Sequence, residues 1–387
     1  MQNDDNRIYE YVVDIRRQIH RYPETGFDLP RTCSLVTEEL ESLGIAVDTG
    51  FGENSIVAEI QGGRPGKTIA LRADMDALPL QEESGLEFAS ALPGKMHACG
   101  HDGHTAMLLG AAKLLLERKD ELSGRVRLIF QPSEEGPISG ARVMTRAGAA
   151  EGVDRIFAFH LTTEIETGMI AANPGRALAA ASTFDIEIHG RGGHAGAPHT
   201  TIDAVALGIQ AANAMQYIVS RETDPFEPAV ISIGSVHGGS AGNIISERLR
   251  MSGTIRTFDS DIQDRIKERI RSILDGIVNG AGGTYSVVFN DGLPPLINDA
   301  ESVEIALNSA AKRVGDEHCI VLQKGKMGSE DFVYFLQEIP GCILWLGAGN
   351  KAEGHIYPLH HPKFSFDERA LLIGIRVYEQ LVTDQLS

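Results

Sequence analysis

The densest concentration of chemically capable side chains is the run Met96-His97-Ala98-Cys99-Gly100-His101-Asp102-Gly103-His104. Thiolate and imidazole are good ligands for first-row divalent ions. Cys99 and His101 are two residues apart, so on an extended segment both point to one side. Any one of these residues reads equally well as a buried thiol or a helix-capping group, but three histidines, a cysteine and an aspartate around two glycines make poor core as a set. A second cluster, Gln131-Pro132-Ser133-Glu134-Glu135-Gly136, directly follows the apolar run Val126–Phe130. Adjacent carboxylates point different ways, which suits one ligand and one general base; alone, the pair also fits a solvated helix N-terminus. Phe157-Ala158-Phe159-His160-Leu161 places a histidine at the end of an apolar strand, as apt for a hydrogen-bonded core position as for a metal. Leu359-His360-His361-Pro362 lies in a polar loop. Asp74-Met75-Asp76 follows another strand, where a carboxylate either supports a ligating histidine or makes a turn. Joint occurrence decides. Cys99, His101, Glu135, His160 and His360 supply more ligands than one tetrahedral ion needs, and Glu134 is left over as a base, which is the inventory of a two-metal hydrolase.

These clusters need a scaffold that brings them together. Ile8, Tyr11, Val12, Ile15 and Ile19 form a helical stripe ended by Pro23 and Gly26, and Leu35, Val36, Leu40 and Leu43 form a second one with Gly44 at its C-terminal end. Strands are expected at Ser55–Ile60 and Thr68–Leu71, joined by a glycine-rich turn over 62–66. A helix at about Thr105–Lys119, a strand at Arg125–Gln131, a helix near Ser139–Ala147 and a strand at Arg155–His160 follow. This alternation implies an α/β layer with a mostly parallel, mixed sheet and helices on both faces. Open sheets of this kind gather ligands at the C-terminal ends of their strands, where three of the clusters fall.

From Phe184 the pattern changes. Phe184, Ile186 and Ile188 alternate with Asp185, Glu187 and His189, so this strand has one wet face. The order to Asn290 is β-α-β-β-α-β, the ferredoxin-like arrangement. After Gly292-Leu293-Pro294-Pro295 the earlier style returns, with helices at Ser302–Val314 and Glu330–Glu338, a strand at Cys342–Gly347 and a last helix carrying Leu371, Leu372, Ile375 and Leu381. The expected organisation is a discontinuous catalytic α/β domain, 1–181 and 293–387, interrupted by an inserted ferredoxin-like domain over 182–292.

Composition excludes several classes. Over 387 residues, Asp+Glu number 53 against 35 Lys+Arg, a net charge of −18, so neither nucleic acid nor an anionic membrane is the expected partner. Four cysteines in this length are not a disulfide framework, and the acidic start MQNDDNRIYEYVV has no apolar core of a secretory signal. A cytoplasmic protein is expected.

The blocks ALRADMDALPL, MHACGHDGHTAMLLGAA, LIFQPSEEG, FAFH, GRGGHAGAPH, GTIRTFD, MGSEDF and LHHPKF, in that order, resemble the signatures of the co-catalytic metallopeptidases of the aminoacylase and carboxypeptidase type (peptidase clan MH). Within it the chain is most similar to the subgroup of hippurate hydrolase, N-acyl-amino-acid deacetylases and plant indole-acetyl-amino-acid hydrolases. The resemblance implies a two-metal catalytic domain and an inserted lid domain that forms a homodimer, with higher homo-oligomers open. It places metal ligands at Cys99, His101, Glu135, His160 and His360, the general base at Glu134 and a ligand-orienting carboxylate at Asp76. The wider family has a histidine where Asp74 stands; this subgroup has the cysteine instead. The lid would contribute His194 to the developing oxyanion, and Asn243, Arg256, Gly328 and Ser329 would hold the substrate. The implied cofactors are two divalent ions, of zinc, manganese, cobalt or nickel. The implied reaction is hydrolysis of the amide bond of an N-acyl-L-amino acid by a water activated at the two ions. A dipeptidase or carboxypeptidase is the alternative within the family, and a non-catalytic amino-acid-binding protein the alternative outside it.

Overall fold

The structure is a computed structural model and describes residues 2–387. The chain divides into two compact units, Met1–Gly175 with Ile297–Lys324 and Asp331–Ser387, and Arg176–Leu296 with Gly325–Glu330. The second unit therefore takes in a short segment that the sequence pattern assigns to the first. Lys326 N donates to Ala177 O at 2.9 Å, and Ala179 N to Gly328 O at 2.9 Å, which anchors it there.

In chain order the first unit opens with α1 (Gln2–Arg21), α2 (Pro30–Ser42), β1 (Val47–Asp48), β2 (Ile56–Gln61), β3 (Arg64–Asp74), α3 (His101–Glu117), β4 (Ser123–Gln131), α4 (Gly140–Arg146), β5 (Arg155–Glu166) and β6 (Ile170–Ala172). The second unit supplies β7 (Ala180–His189), α5 (Ala204–Tyr217), β8 (Ala229–Gly238), β9 (Arg248–Thr257), α6 (Ser260–Ile277) and β10 (Thr284–Asp291). The first unit closes with α7 (Ala300–Val314), β11 (Cys319–Val321), α8 (Val333–Leu336), β12 (Gly341–Gly349) and α9 (Arg369–Leu386).

The large sheet has the order β1-β2-β4-β3-β5-β12-β6-β11. Its four central strands, β4, β3, β5 and β12, run parallel. Alternate residues on them, such as Leu71, Leu128, Phe157, Phe159 and Leu344, join one core with α1, α3, α7 and α9. Their neighbours Arg72, Ile129, Ala158 and His160 point to the opposite face by the two-residue period, the side on which Arg127 reaches the carbonyls of Ala149 and Glu151 just beyond α4. Full burial of each large apolar side chain contributes about 1.5–3 kcal/mol, so the register that buries one row is strongly specified.

The turn over 62–66 does not make a hairpin. β2 and β3 lie on either side of β4. The turn wraps round the start of β4, so closely that a Cβ on Gly62 would lie 2.5 Å from the carbonyl oxygen of Leu122. The helix expected over Glu330–Glu338 shrinks to the single turn α8. Asp331 at its start is fully buried, and its carboxylate accepts hydrogen bonds from Gln131 and Ser139.

The second unit is a four-stranded antiparallel sheet of order β8-β9-β7-β10 with α5 and α6 on one face. Phe184, Ile186 and Ile188 pack with Ala211, Met215, Ile266 and Ile270, and Asp185 and Glu187 turn away. Among the described residues, no helix is long and apolar enough to cross a membrane.

Candidate metal centre

The site begins with a glycine. Gly100 sits at φ +86° and turns the chain from Cys99 straight into α3, a conformation that costs a residue with a Cβ. His101 is thus the first helical residue, four positions before the expected start at Thr105. The extended segment inferred from the Cys99/His101 spacing is broken at Gly100, and the two residues converge through this turn instead. His104 follows one turn later, its ring centroid 5.4 Å from that of His101.

The roles of the histidines follow from what each ring nitrogen touches. His104 Nε2 accepts from the Leu161 amide at 2.9 Å, so its proton is on Nδ1 and is donated to Asp74 Oδ1 at 2.6 Å. Both nitrogens are used, and His104 ties α3 to β3 and β5. His101 Nδ1 lies 2.8 Å from the carbonyl oxygen of Asp76, which can only accept. Its Nε2 is buried with no hydrogen-bond partner. His160 Nδ1 likewise donates to the Leu161 carbonyl at 2.8 Å, and its Nε2 lies 3.5 Å from Cys99 Sγ. A histidine whose outer nitrogen is fixed by a carbonyl and whose inner one faces other donor atoms has the form of a metal ligand.

Asp76 acts through two parts of the residue. Its carboxylate, expected from the sequence beside a ligating histidine, has Oδ1 at ion-pair distance, 3.6 Å, from His101 Nδ1, and its main-chain carbonyl makes the hydrogen bond to the same nitrogen. The carboxylate accepts the amides of Glu134 at 2.9 Å and Glu135 at 3.1 Å. It therefore fixes the loop that carries both acids. That loop includes Ser133 at φ +54°, and the loop opposite holds His360 at φ +63°. A non-glycine residue in the left-handed region costs about 1–3 kcal/mol and persists only where its surroundings over-determine it. Ser133 Oγ donates to Ile138 O at 2.6 Å, and the His360 amide donates to Ala98 O at 2.8 Å, next to Cys99. His360 Nε2 comes within 2.9 Å of Glu135 Oε1. His361 is engaged elsewhere, stacked on Tyr357 at 4.5 Å with Nδ1 accepting the Lys363 amide.

The donor atoms fall into overlapping groups, each within 4.8 Å: Cys99, His101 and His160; Cys99, Glu135 and His360; His101, Glu134 and Glu135. Electrostatics make this cluster a cation trap. Burial disfavours a charged His101, yet Asp74, Asp76 and Glu135 outweigh it and raise the ring to about 10. Burial first, then Glu135, Glu134 and Asp74, hold the Cys99 thiol well above its ordinary range. Burial and the neighbouring His104 hold His160 neutral. A carboxylate field that favours a buried imidazolium equally favours a divalent ion, and such an ion would turn Cys99 into a thiolate. The unpartnered His101 Nε2 and the mixed S/N/O donors fit a first-row divalent metal.

The second unit holds the other candidates. The short strand Gly193–His194 pairs with Ile244–Ile245, and the Ala195 amide donates to Asn243 O at 3.1 Å, so His194 and Asn243 are neighbours. His194 Nδ1 accepts the Gly196 amide at 2.9 Å, which leaves the proton of the neutral ring on Nε2 as a donor. The guanidinium of Arg256 donates from Nη1 to Ser329 Oγ at 3.2 Å, and burial lowers its pKa. Among the described residues, no carboxylate lies within ion-pair distance of it. Gly328 contributes its carbonyl to Ala179. Sequence reasoning assigned no role to Arg72, Gln131 and Asp331, a buried polar group behind the acidic loop, although the blocks ALRADMDALPL, LIFQPSEEG and MGSEDF contain them.

The model of the peptidase family M20/M25/M40 matches residues 70–384. Thermostable carboxypeptidase 1 of Saccharolobus solfataricus is 42% identical over 377 residues, 97% of this chain and 95% of that protein. The N-acetylcysteine deacetylase of Bacillus subtilis is 37% identical over 378 residues, 97% of both chains. A solved structure from Bacillus subtilis, described as a dinuclear metal binding peptidase of the M20 family, superposes with a TM-score of 0.84 at 33% identity, covering 98% of this chain and 99% of that one.

Proposed function

The chain belongs to the peptidase family M20/M25/M40 and is a metal-dependent hydrolase of amide bonds, and from that premise we propose that its substrates are N-acyl-L-amino acids, which it cleaves to the amino acid and a carboxylic acid. The observation that carries the chemistry is the unpartnered Nε2 of His101 beside the Nε2 of His160, which faces Cys99 Sγ, gathered next to two carboxylates. Cys99, His101, Glu135, His160 and His360 would hold two divalent ions. When bound, such ions supply Lewis acidity, lowering the pKa of a water and polarising the amide carbonyl.

The remaining steps belong to the protein. Glu134 accepts the proton of the attacking water and passes it to the leaving nitrogen. Asp76 holds Glu134 at that task through the Glu134 amide. The Nε2–H of His194, in its own or a partner subunit, donates to the developing oxyanion. Arg256, with no acidic partner among the described residues, takes the carboxylate of the amino-acid product, supported by Ser329, Gly328 and Asn243. The segment 182–292 acts as the lid and as the surface of a homodimer.

A second reading, a carboxypeptidase, is favoured by the relative at 42% identity. Both readings put a free carboxylate on the leaving side and differ only in whether the acyl part is a simple acid or a peptide. The test is turnover of N-acetyl amino acids beside the matching dipeptides and N-blocked dipeptides, after stripping the metal and restoring zinc, manganese, cobalt or nickel. The expected result is no turnover in the stripped protein, and a preference of about tenfold or more in kcat/KM for the N-acetyl compounds in the best metal. The reverse preference would establish the carboxypeptidase.

A further inference from the structure

We infer that Asp331 is a positioning residue for the loop that carries the general base, holding both ends of that loop on one buried carboxylate. This rests on the proposed role of Glu134. The loop runs from Gln131, the last residue of β4, to Ser139, which caps α4 by accepting the Arg142 amide at 3.0 Å. Asp76 grips its middle. Its ends meet at Asp331. Gln131 Nε2 donates to Asp331 Oδ1 at 2.8 Å and to Oδ2 at 2.9 Å. Ser139 Oγ donates to Oδ2 at 2.6 Å and the Ala141 amide to the same oxygen at 3.2 Å. Arg72 Nη2 reaches Oδ1 at 3.1 Å.

Asp331 and Gln131 are fully buried and Arg72 is 1% exposed. A buried carboxylate is costly unless its lone pairs are used and its charge is met, and here the Arg72 guanidinium and the neutral donors of Gln131, Ser139 and Ala141 contribute to both. Arg72 extends the same network the other way. Its Nε donates to Gln131 Oε1 at 2.8 Å and its Nη1 to Asp74 Oδ2 at 2.6 Å, and Asp74 accepts from His104. A buried network with its donors and acceptors matched has one arrangement and transmits displacement stiffly. Between the ends so fixed, Ser133 keeps its left-handed backbone. Asp331 at the ends and Asp76 in the middle thus define where Glu134 and Glu135 stand, and a displacement of about 1 Å at a reacting group costs about 100-fold in rate.

Asp331→Asn keeps the shape and turns one acceptor into a donor facing Gln131 and Arg72. With metal saturating and well below the unfolding temperature, kcat for an N-acetyl amino acid is expected to fall about 10–100-fold with KM within about threefold. The decisive readout is a double-mutant cycle. If Asp331 acts through Glu134, Asp331→Asn lowers the residual turnover of Glu134→Gln, measured as released amine over long incubation, by no more than about twofold. A merely structural role would lower the unfolding temperature and either leave kcat in place or lower it by the same factor in the parent and in Glu134→Gln; either kinetic result overturns the inference. Should Asp331→Asn fail to fold, Ser139→Ala removes one donor to Asp331, and a loss of about threefold or more in kcat with the same non-additivity is expected; unchanged kcat overturns it. Full turnover by Glu134→Gln alone overturns the base assignment and the inference with it, whereas a dead Glu134→Gln beside a normal Asp331→Asn overturns only the inference.

Discussion

The two units treat their polar groups in opposite ways. In the first, Cys99, His101 and His160 are buried, and the outer nitrogen of each ring is committed to a backbone carbonyl. In the second, His194 and Asn243 are exposed, and Arg256 is half-buried with one hydroxyl for a partner. On the proposed function, the groups that would meet a metal and a water at fixed distances are held before anything binds, and those that would meet a variable substrate are left open. The cost of the first arrangement is visible in the left-handed backbone of Ser133 and His360; the second carries no comparable strain among its non-glycine residues.

This contrast can be broken by substitution. His194→Ala is expected to lower kcat by about 10²–10³, as for the loss of one oxyanion donor, with metal content unchanged by elemental analysis. An unaltered kcat would leave the second unit without a share in the chemistry. Asp76→Asn is expected to weaken metal binding about 10–100-fold in chelator competition, because it loosens the Glu134 and Glu135 amides. Unchanged affinity would mean that the carbonyl contact to His101 suffices. Arg256→Met is expected to raise KM about 10–100-fold while kcat stays within about threefold, matching the loss of one charge-assisted hydrogen bond of about 1.5–3 kcal/mol. A fall confined to kcat would move Arg256 from recognition into the chemistry.

The metal cluster was legible in the sequence because its residue types are rare in cores and gather after successive strands. The conformation joining them was not. Cys99 and His101 suggest an extended pair by spacing, and only the left-handed Gly100 and the early start of α3 show how they meet. His101 and His104 are indistinguishable by type. They are separated by partners far off in the chain, the Asp76 carbonyl for one and the Leu161 amide with Asp74 for the other. His360 and His361 divide in the same way, since Tyr357 and the Lys363 amide occupy the second. Asp331 was hidden for a different reason. Its neighbourhood reads as a helix start, and the groups that bury it, Arg72, Gln131 and Ser139, come from distant strands and a loop. The alternation over Phe184–His189 specified its strand well because one face is wet. The parallel centre of the large sheet, buried on both faces, gave no such signal for the order in which its strands lie.

The most direct measurement is on Glu134→Gln, with turnover and metal stoichiometry read from the same sample. The expected result is two divalent ions per chain, as in the parent protein, and a loss of about 10³-fold or more in kcat. Normal turnover would remove Glu134 as the base. Loss of the ions together with activity would make it a ligand instead.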